Sequence, residues 1–300
     1  MVSGDIYVLA PKNDCLLPEL LPFLCMSERF FEFAVETSAG SLSPRTNWSH
    51  LARFEFSLPP LDQQRCIAEI LWTVDEGLQR LLEMRSCLTL QRGAFVSEFI
   101  KATAKACASL GDHLEMVQYG TSRRAALEAK PGSLPVLRIP NVISGSIDFG
   151  NLAWLEPSEE NKRYEVTRDD VLIVRTNGNP DYVGRSAVFD SSAYEQCLFA
   201  SYLIRLRCRD SQLLPKFLHE MLESSHVRRD IRKQVKSSAG NYNLNTQGIR
   251  GLRIPVPSVT VQEAFVEQLD SLGDAIAAAD DHSGALREMG SFLLNSILEG

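Results

Sequence analysis

No run of about 18 to 20 uninterrupted apolar residues, the length of a membrane-spanning helix, occurs in this 300-residue chain. The N-terminus, Met1-Val2-Ser3-Gly4-Asp5, lacks a basic segment followed by an apolar one, so no secretory leader is expected and the cytoplasm is the expected location. Cysteines number seven, an odd count with no Cys-x-x-Cys pair, which fits reduced apolar fillers better than a disulfide framework or a zinc site. Catalytic signatures are equally scarce. There is no P-loop and therefore no expected ATP hydrolysis, and no Gly-x-Ser-x-Gly elbow for acyl transfer. His219-Glu220 is followed at position 223 by Glu, where a zinc protease needs its second His. Asn179-Pro180-Asp181-Tyr182 departs by one residue from the Asn-Pro-Pro-Tyr loop that grips a flipped base. No glycine-rich loop after a strand offers a cradle for S-adenosylmethionine. An acidic-x-Lys triplet that would complete an Mg²⁺ nuclease site with Asp181 does not follow it; Glu160-Asn161-Lys162 lies on the wrong side.

What charge there is lies unevenly. The net −7 speaks against a protein that simply coats DNA. Residues 1–109 carry 10 basic against 13 acidic side chains, residues 110–257 carry 20 against 17, and residues 258–300 carry 1 against 8. Within the middle block, residues 205–253 hold 11 basic and 4 acidic side chains. A locally basic surface on an acidic protein suits a phosphate-binding face that avoids indiscriminate attraction.

The chain also repeats itself. Ser38-Ala39-Gly40 recurs as Ser238-Ala239-Gly240, Leu16-Leu17-Pro18 as Leu213-Leu214-Pro215, and Phe56-Ser57-Leu58-Pro59 as Ile254-Pro255-Val256-Pro257, at an offset between 197 and 200. Residues 6–105 are a divergent copy of residues 203–300, and about 110–200 has no counterpart. Each proline-rich stop is followed by a helix, with Asp62 as the expected N-cap of the first and Thr260 with Glu263 as a capping box on the second. The apolar positions Ile67, Leu71, Val74, Leu78, Leu81, Leu88, Phe95 and Phe99 keep a heptad that recurs as Phe265, Leu269, Leu272, Ile276, Ala279, Leu286, Leu293 and Ile297. The interruptions coincide, Arg85 with Ser283 and Arg92 with Gly290. A sustained 3.5-residue period predicts a paired coiled-coil seam, as against two amphipathic helices packed on separate domains. A helix from 62 to about 105 would run roughly 65 Å, unless Gly93 in the first helix breaks it, as Gly284 could break the second. Trp72, on the outer face, is a candidate partner contact or a core residue.

Between the helices, residues 110–257 read as a mixed α/β domain. Val136–Ile139 and Val171–Arg175 suit buried strands, and Ser201–Arg207 alternates with Tyr202, Ile204 and Leu206 on one side. Pro215 opens a helix expected to reach about Lys236, with Val227, Ile231 and Val235 on one arc. Arg228, Arg229, Arg232, Lys233 and Lys236 lie on the other, a face for phosphates or a solvated surface.

Base edges are read by planar donors and acceptors: Arg for guanine, Asn or Gln for adenine. These types concentrate in turn-rich segments: Tyr119-Gly120-Thr121-Ser122-Arg123-Arg124, Arg175-Thr176-Asn177-Gly178-Asn179-Pro180-Asp181-Tyr182, and Gly240-Asn241-Tyr242-Asn243-Leu244-Asn245. The ordered series Val117–Ser122, Pro135–Val142, Asp170–Gly178, Val183–Phe189 and Ala200–Leu206 resembles a target recognition domain of a Type I restriction-modification specificity (S, HsdS-type) subunit. The proline-rich strand followed by Gln63-Gln64 or Val261-Gln262-Glu263 and a long helix resembles that family's conserved spacer regions, so the resemblance covers nearly the whole chain.

The resemblance implies an α+β fold: a mixed α/β target recognition domain plus two long antiparallel helices forming a coiled-coil spacer. It implies the end of a truncated first recognition domain over 1–60, a first spacer helix over 61–107, a complete recognition domain over 108–257 and a second spacer helix over 258–300. Specificity subunits of this family carry two recognition domains, each reading half of a split DNA target, and modification subunits dock on the helices to methylate adenine. Partners then include double-stranded DNA, modification and restriction subunits, and a second copy or a complementary specificity fragment. No cofactor belongs to this chain; S-adenosylmethionine, ATP and Mg²⁺ belong to partner subunits. Candidates near bases are Arg138, Arg175, Asn177, Arg185, Asn241, Tyr242 and Asn243. Arg123, Arg124 and the cations of 228–236 are candidates for phosphates, and Tyr119, Thr121, Ser122, Asn141 and Tyr182 complete the expected DNA-contacting set. The competing readings are a stand-alone adenine methyltransferase or nuclease, and a self-associating remnant without function.

Overall fold

The computed structural model describes residues 6–38, 45–190, 194, 196–209, 211–238 and 240–299. Ala39, Gly40 and Ala239 of the repeated Ser-Ala-Gly triplets, and the leader positions Met1–Asp5, lie outside the described residues. In chain order the elements are α1 (Leu21–Met26), α2 (Glu28–Glu36), α3 (Trp48–Leu51), α4 (Leu61–Ala102), β1 (Cys107–Ser109), β2 (Leu114–Tyr119), β3 (Leu134–Leu137), β4 (Ala153–Leu155) and β5 (Val171–Val174). There follow β6 (Thr176–Asn177), β7 (Ser186–Val188), β8 (Leu198–Phe199), β9 (Leu203–Cys208), α5 (Pro215–Glu223), α6 (Ser225–Gln234), β10 (Lys236–Ser238), β11 (Asn241–Asn243), α7 (Thr246–Arg250), β12 (Arg253–Pro255) and α8 (Val259–Glu299).

The chain forms two compact units: residues 1–89 with 273–300, and residues 90–272. Both long helices are unbroken, Gly93 and Gly284 included, because a single helical glycine costs only about 1 kcal/mol against alanine. Asp62 and Thr260 sit inside the first turns rather than at the caps. The carbonyls of Pro60 and Ser258 receive the first amides instead.

In the first unit, α4 and α8 run antiparallel along the expected seam. Leu71 and Val74 are buried, Gly290 lies against Val74 and Gly77 against Leu286, and the seam closes on Leu20, Phe23, Leu24, Ile297 and Leu298. The polar interruptions are handled locally. Arg85 reaches outward to Asp280 at 2.6 Å, and the buried Ser283 hydroxyl donates to the Ala279 carbonyl at 2.8 Å.

In the second unit, the start of α8 and the end of α4 meet through Phe265. It stacks on Phe95 at 5.4 Å, contacts Phe99 at 4.1 Å, and meets Phe217 of α5 edge-on at 5.4 Å. An antiparallel four-stranded sheet, β2-β9-β5-β7, carries the core with α5 packed on β7. A second sheet, β4-β3-β8, joins β3 and β8 in parallel, and Leu137, Leu172, Val174, Phe199 and Leu203 fill the space they share. β1 pairs with β12, and a third sheet has the order β10-β11-β6.

The observed strands shift the expected ones by a residue or two, and Tyr202 is 57% exposed rather than alternating inward. The helix expected from Pro215 to Lys236 is two helices, because Ser224 takes an extended conformation and its hydroxyl caps α6 by accepting from Val227 N at 3.3 Å. Ser27 does the same between α1 and α2, accepting from Phe30 N at 3.3 Å.

The repeat extends to a buried glutamine at the start of each long helix. Gln64 accepts from Leu17 N and donates to the carbonyls of Cys15 and Pro59, each at 2.8 Å. Gln262 accepts from Leu214 N and donates to the carbonyls of Gln212 and Pro257, each at 2.9 Å. One amide thus satisfies three backbone groups that burial removes from water.

All seven cysteines are unpaired. Burial pushes the Cys197 and Cys208 thiols up to about 12, whereas Cys15, Cys66 and Cys87 are exposed and fill no core, which corrects the expectation for those three.

β7 is held on α5 by a polar clamp. Glu223 accepts from Ser186 N at 2.8 Å and from Arg185 at 2.6 Å, and the Ser186 hydroxyl lies 3.0 Å from His219 Nδ1. Ser186 is fully buried, and the carboxylate bonds the serine rather than the far side of the imidazole. The trio is a structural tie and lacks the order of a nucleophile–base–acid chain.

Replacing Gln262 by Leu leaves a buried amide and two carbonyls unpaired at about 1–3 kcal/mol for each group. The urea midpoint should fall accordingly; an unchanged midpoint contradicts the account. Burial holds the His219 imidazole below its usual 6.5, so the unfolded chain takes up a proton first as pH falls. The fold should lose stability below pH 6.5, and His219→Gln should flatten that slope in urea titrations. An equal slope in both proteins counts against it.

Candidate nucleic-acid interface

The three turn-rich segments singled out in the sequence end on one side of the β2-β9-β5-β7 sheet, because β2, β5 and the hairpin after α6 are brought together by long-range pairing. β6 follows β5 directly, and its Asn177 pairs with Tyr242 and Thr176 with Asn243 of β11. β11 pairs in turn with β10, placing Lys236 opposite Asn243 and Ser237 opposite Tyr242. The result is a small sheet, Thr176–Asn177, Lys236–Ser238 and Asn241–Asn243, with no aliphatic residue in it. Its hydrogen-bonding side chains remain in reach of solvent: Lys236 and Asn241 are exposed, and Asn177, Tyr242 and Asn243 half-buried. Lys236 therefore belongs to a strand, not to the basic helix.

α6 anchors the loop that leads away from this sheet. Arg228, expected at a phosphate, is 8% exposed and donates to the carbonyls of Val183 at 2.8 Å and Asp181 at 2.6 Å. Burial lowers its affinity for the proton, and the two carbonyls satisfy the charge that remains. Gly184 passes so close that a Cβ would stand 2.7 Å from Ile231 and 2.8 Å from Arg228, in a left-handed conformation besides. Arg232 pairs with Asp181 at 2.7 Å and Lys233 with Asp230 at 2.6 Å. Arg229 is exposed and, among the described residues, unpaired.

Several residues of the expected DNA-contacting set are instead tied to protein groups. Asn141 is buried, its oxygen accepting from Arg138 N and its amide donating to the carbonyls of Asp148 and Gly150, each at 2.8 Å. This leaves it nothing to offer a base. The Arg138 guanidinium donates to the Asn151 carbonyl. Arg185 is taken by Glu223. Thr121 is buried, its hydroxyl accepting from Arg123 N at 3.2 Å. Ser122 and Arg124 are exposed, Arg123 donates to the Ser158 hydroxyl at 2.9 Å, and Tyr182 is 40% exposed at the tip of the loop.

Arg175 is placed differently. Its guanidinium lies 4.5 Å from the centre of the Tyr119 ring, with one nitrogen donating to the Ser201 carbonyl at 3.2 Å.

The basic excess of 205–253 is not all surface. Arg205 and Arg207 converge on the fully buried Asp170 at 3.5 and 2.7 Å, where they join β9 to the turn before β5. Sequence reasoning did not name Ser237, which the β10–β11 pairing sets opposite Tyr242, or the exposed Tyr202 as a candidate contact; the carbonyl of Tyr202 receives the Arg175 amide.

The chain matches the family model described as Type I restriction modification DNA specificity domain over residues 1–85. It is 27% identical over 279 residues to the Type I restriction enzyme EcoKI specificity subunit of Escherichia coli K12, an alignment covering 86% of this chain and 60% of that protein. It is 26% identical to the StySPI specificity subunit of Salmonella potsdam, covering 77% of this chain and 54% of the other. The chain thus spans little more than half the length of these curated relatives. Its fold is shared with the crystal structure of the S subunit of a Type I system from M. genitalium, at a TM-score of 0.60 and 16% identity, over 96% of this chain and 74% of that one. Domain model, relatives and fold point the same way: the chain is similar to Type I restriction-modification specificity subunits, over residues 1–85 by the family model and over 77–86% of its length by these two relatives.

Proposed function

We propose that this chain is a sequence-reading DNA subunit of a Type I restriction-modification complex, acting in the cytoplasm. It recognises part of a bipartite duplex target and carries modification subunits on its helices. The observation that carries the reading is the polar sheet β10-β11-β6 beside Arg175 and Tyr119. A two-stranded ribbon fits the major groove, where Asn pairs with adenine and Arg with guanine. Asn241, Tyr242, Asn243 and Asn177 are the base-contacting set, with Lys236, Arg229 and Arg124 on phosphates.

The chain does no chemistry itself in this reading. S-adenosylmethionine, ATP and Mg²⁺ act in modification and restriction subunits. Residues 108–257 serve as one recognition domain, 61–107 and 258–300 as scaffold, and 1–60 as part of a further recognition body. A second copy or a complementary specificity fragment supplies the other half-target. A partner docked on α4 would meet Trp72 through the 42% of it that stays exposed, since its indole N–H donates to the Glu19 carbonyl at 3.1 Å and its ring packs on Phe23 at 5.0 Å.

Selection from random duplexes, with and without modification subunits, should enrich one short sequence element. Absence of enrichment in both arms contradicts the proposal. Lys236→Ala and Arg229→Ala should each weaken all duplexes alike and flatten the salt dependence by about one ion, whereas Asn241→Ala should cost about 1–3 kcal/mol at one base pair. Uniform losses for all three variants, read by fluorescence anisotropy over a salt series, rule out the assignment of base and phosphate contacts.

A further inference from the structure

Arginines are abundant in residues 110–257, yet several of the expected contacts are committed to protein groups: Arg228 to two carbonyls, Arg185 to Glu223, Arg232 to Asp181 and Arg138 to Asn151. Arg175 is held without being used up. Its backbone N–H donates to the Tyr202 carbonyl at 2.9 Å, and its own carbonyl accepts from Leu244 N at 2.9 Å. This ties it both to the turn before β9 and to the end of the β11 segment. The guanidinium lies over the Tyr119 ring, its carbon 4.5 Å from the ring centre, and one Nη anchors on the Ser201 carbonyl. Tyr119 is fixed in turn, its hydroxyl accepting from Thr246 N at 3.2 Å. Among the described residues, Nε and the second Nη of Arg175 have no partner, and the next two residues are β6 of the polar sheet.

A phosphate contact has no need of this. A point charge on a flexible stem serves a phosphate as well, whereas two parallel bonds to a base edge need the plane set in advance. Contact with the ring face and one anchored nitrogen restrict the guanidinium before the ligand arrives. We propose that Arg175 is a specificity-determining residue that reads the O6 and N7 edge of one guanine, and that Tyr119 is its positioning residue, touching the guanidinium rather than the base. The proposal rests on the DNA-reading function above and assigns Tyr119 a role other than direct DNA contact.

The test uses the full chain with modification subunits, the duplex enriched by selection, and single-base-pair substitutions of that duplex. Arg175→Ala should erase about 5- to 150-fold discrimination at one G·C pair and leave the others intact. Arg175→Lys should lose the same discrimination while keeping the salt slope, since charge survives and the fork does not. Tyr119→Leu should relax that same pair, Tyr119→Phe should retain it, and the Leu–Ala double variant should be no worse than Arg175→Ala alone.

Arg175→Ala weakening every duplex equally, with the salt slope falling by about one, overturns the assignment in favour of a phosphate contact. Tyr119→Leu with discrimination intact overturns the positioning role. Wild-type protein that prefers no sequence overturns the DNA-reading function together with this inference, which separates the two failures.

Discussion

The buried Arg228 guanidinium is the contact on which the candidate interface depends. A charge removed from water must be satisfied by groups close at hand, and here the carbonyls of Val183 and Asp181 do it. The loop that supplies them can approach only because position 184 is glycine, in a left-handed conformation and almost touching Ile231. The loop after β6 is therefore fastened to α6, and α6 to β7 through α5, Glu223 and Ser186. With that loop fixed, Thr176 and Asn177 can act as a third strand for the hairpin Lys236–Asn243. Polar side chains from two distant stretches then stand on one rigid support.

The same helical supports occur twice. A serine caps the second short helix, a buried glutamine gathers three backbone groups before the long helix, and a heptad seam follows, in residues 15–102 and again in 212–299. The second copy is joined to the sheets of 114–208 through α5 on β7 and β11 on β6. The residues that make this junction are not repeated in the first copy. Glu223 and Arg228, which hold β7 and its loop, correspond at an offset of 197 to Met26 and Phe31, both exposed. The helical supports are thus repeated while the positions that hold β7 and its loop are not.

Much of this was legible in residue order because its causes are local. The heptad from Ile67 to Phe99 and its copy from Phe265 to Ile297 report which positions face a partner helix, and neither Gly93 nor Gly284 outweighs forty residues of helical hydrogen bonding. The break at Ser224 was legible in principle, since serine caps the following turn, yet helical periodicity ran across it. What stayed hidden is non-local. Nothing near Arg228 announces that its partners are carbonyls some 45 residues earlier, and nothing near Asn141 shows that its amide is saturated by Asp148 and Gly150. A helical wheel separates cations from aliphatics but cannot tell a solvated arginine from one pinned under a loop. The pairing of β6 with β11 was likewise invisible, since two-residue strands carry no period.

The central claim is that the β10-β11-β6 sheet and the loop fastened by Arg228 form the surface that meets duplex DNA. Amide hydrogen exchange of the full chain, alone and saturated with a selected duplex at fixed salt, tests it most directly. The account predicts slowed exchange in residues 176–182 and 236–243. Unchanged exchange in those two segments, with protection elsewhere, would contradict it.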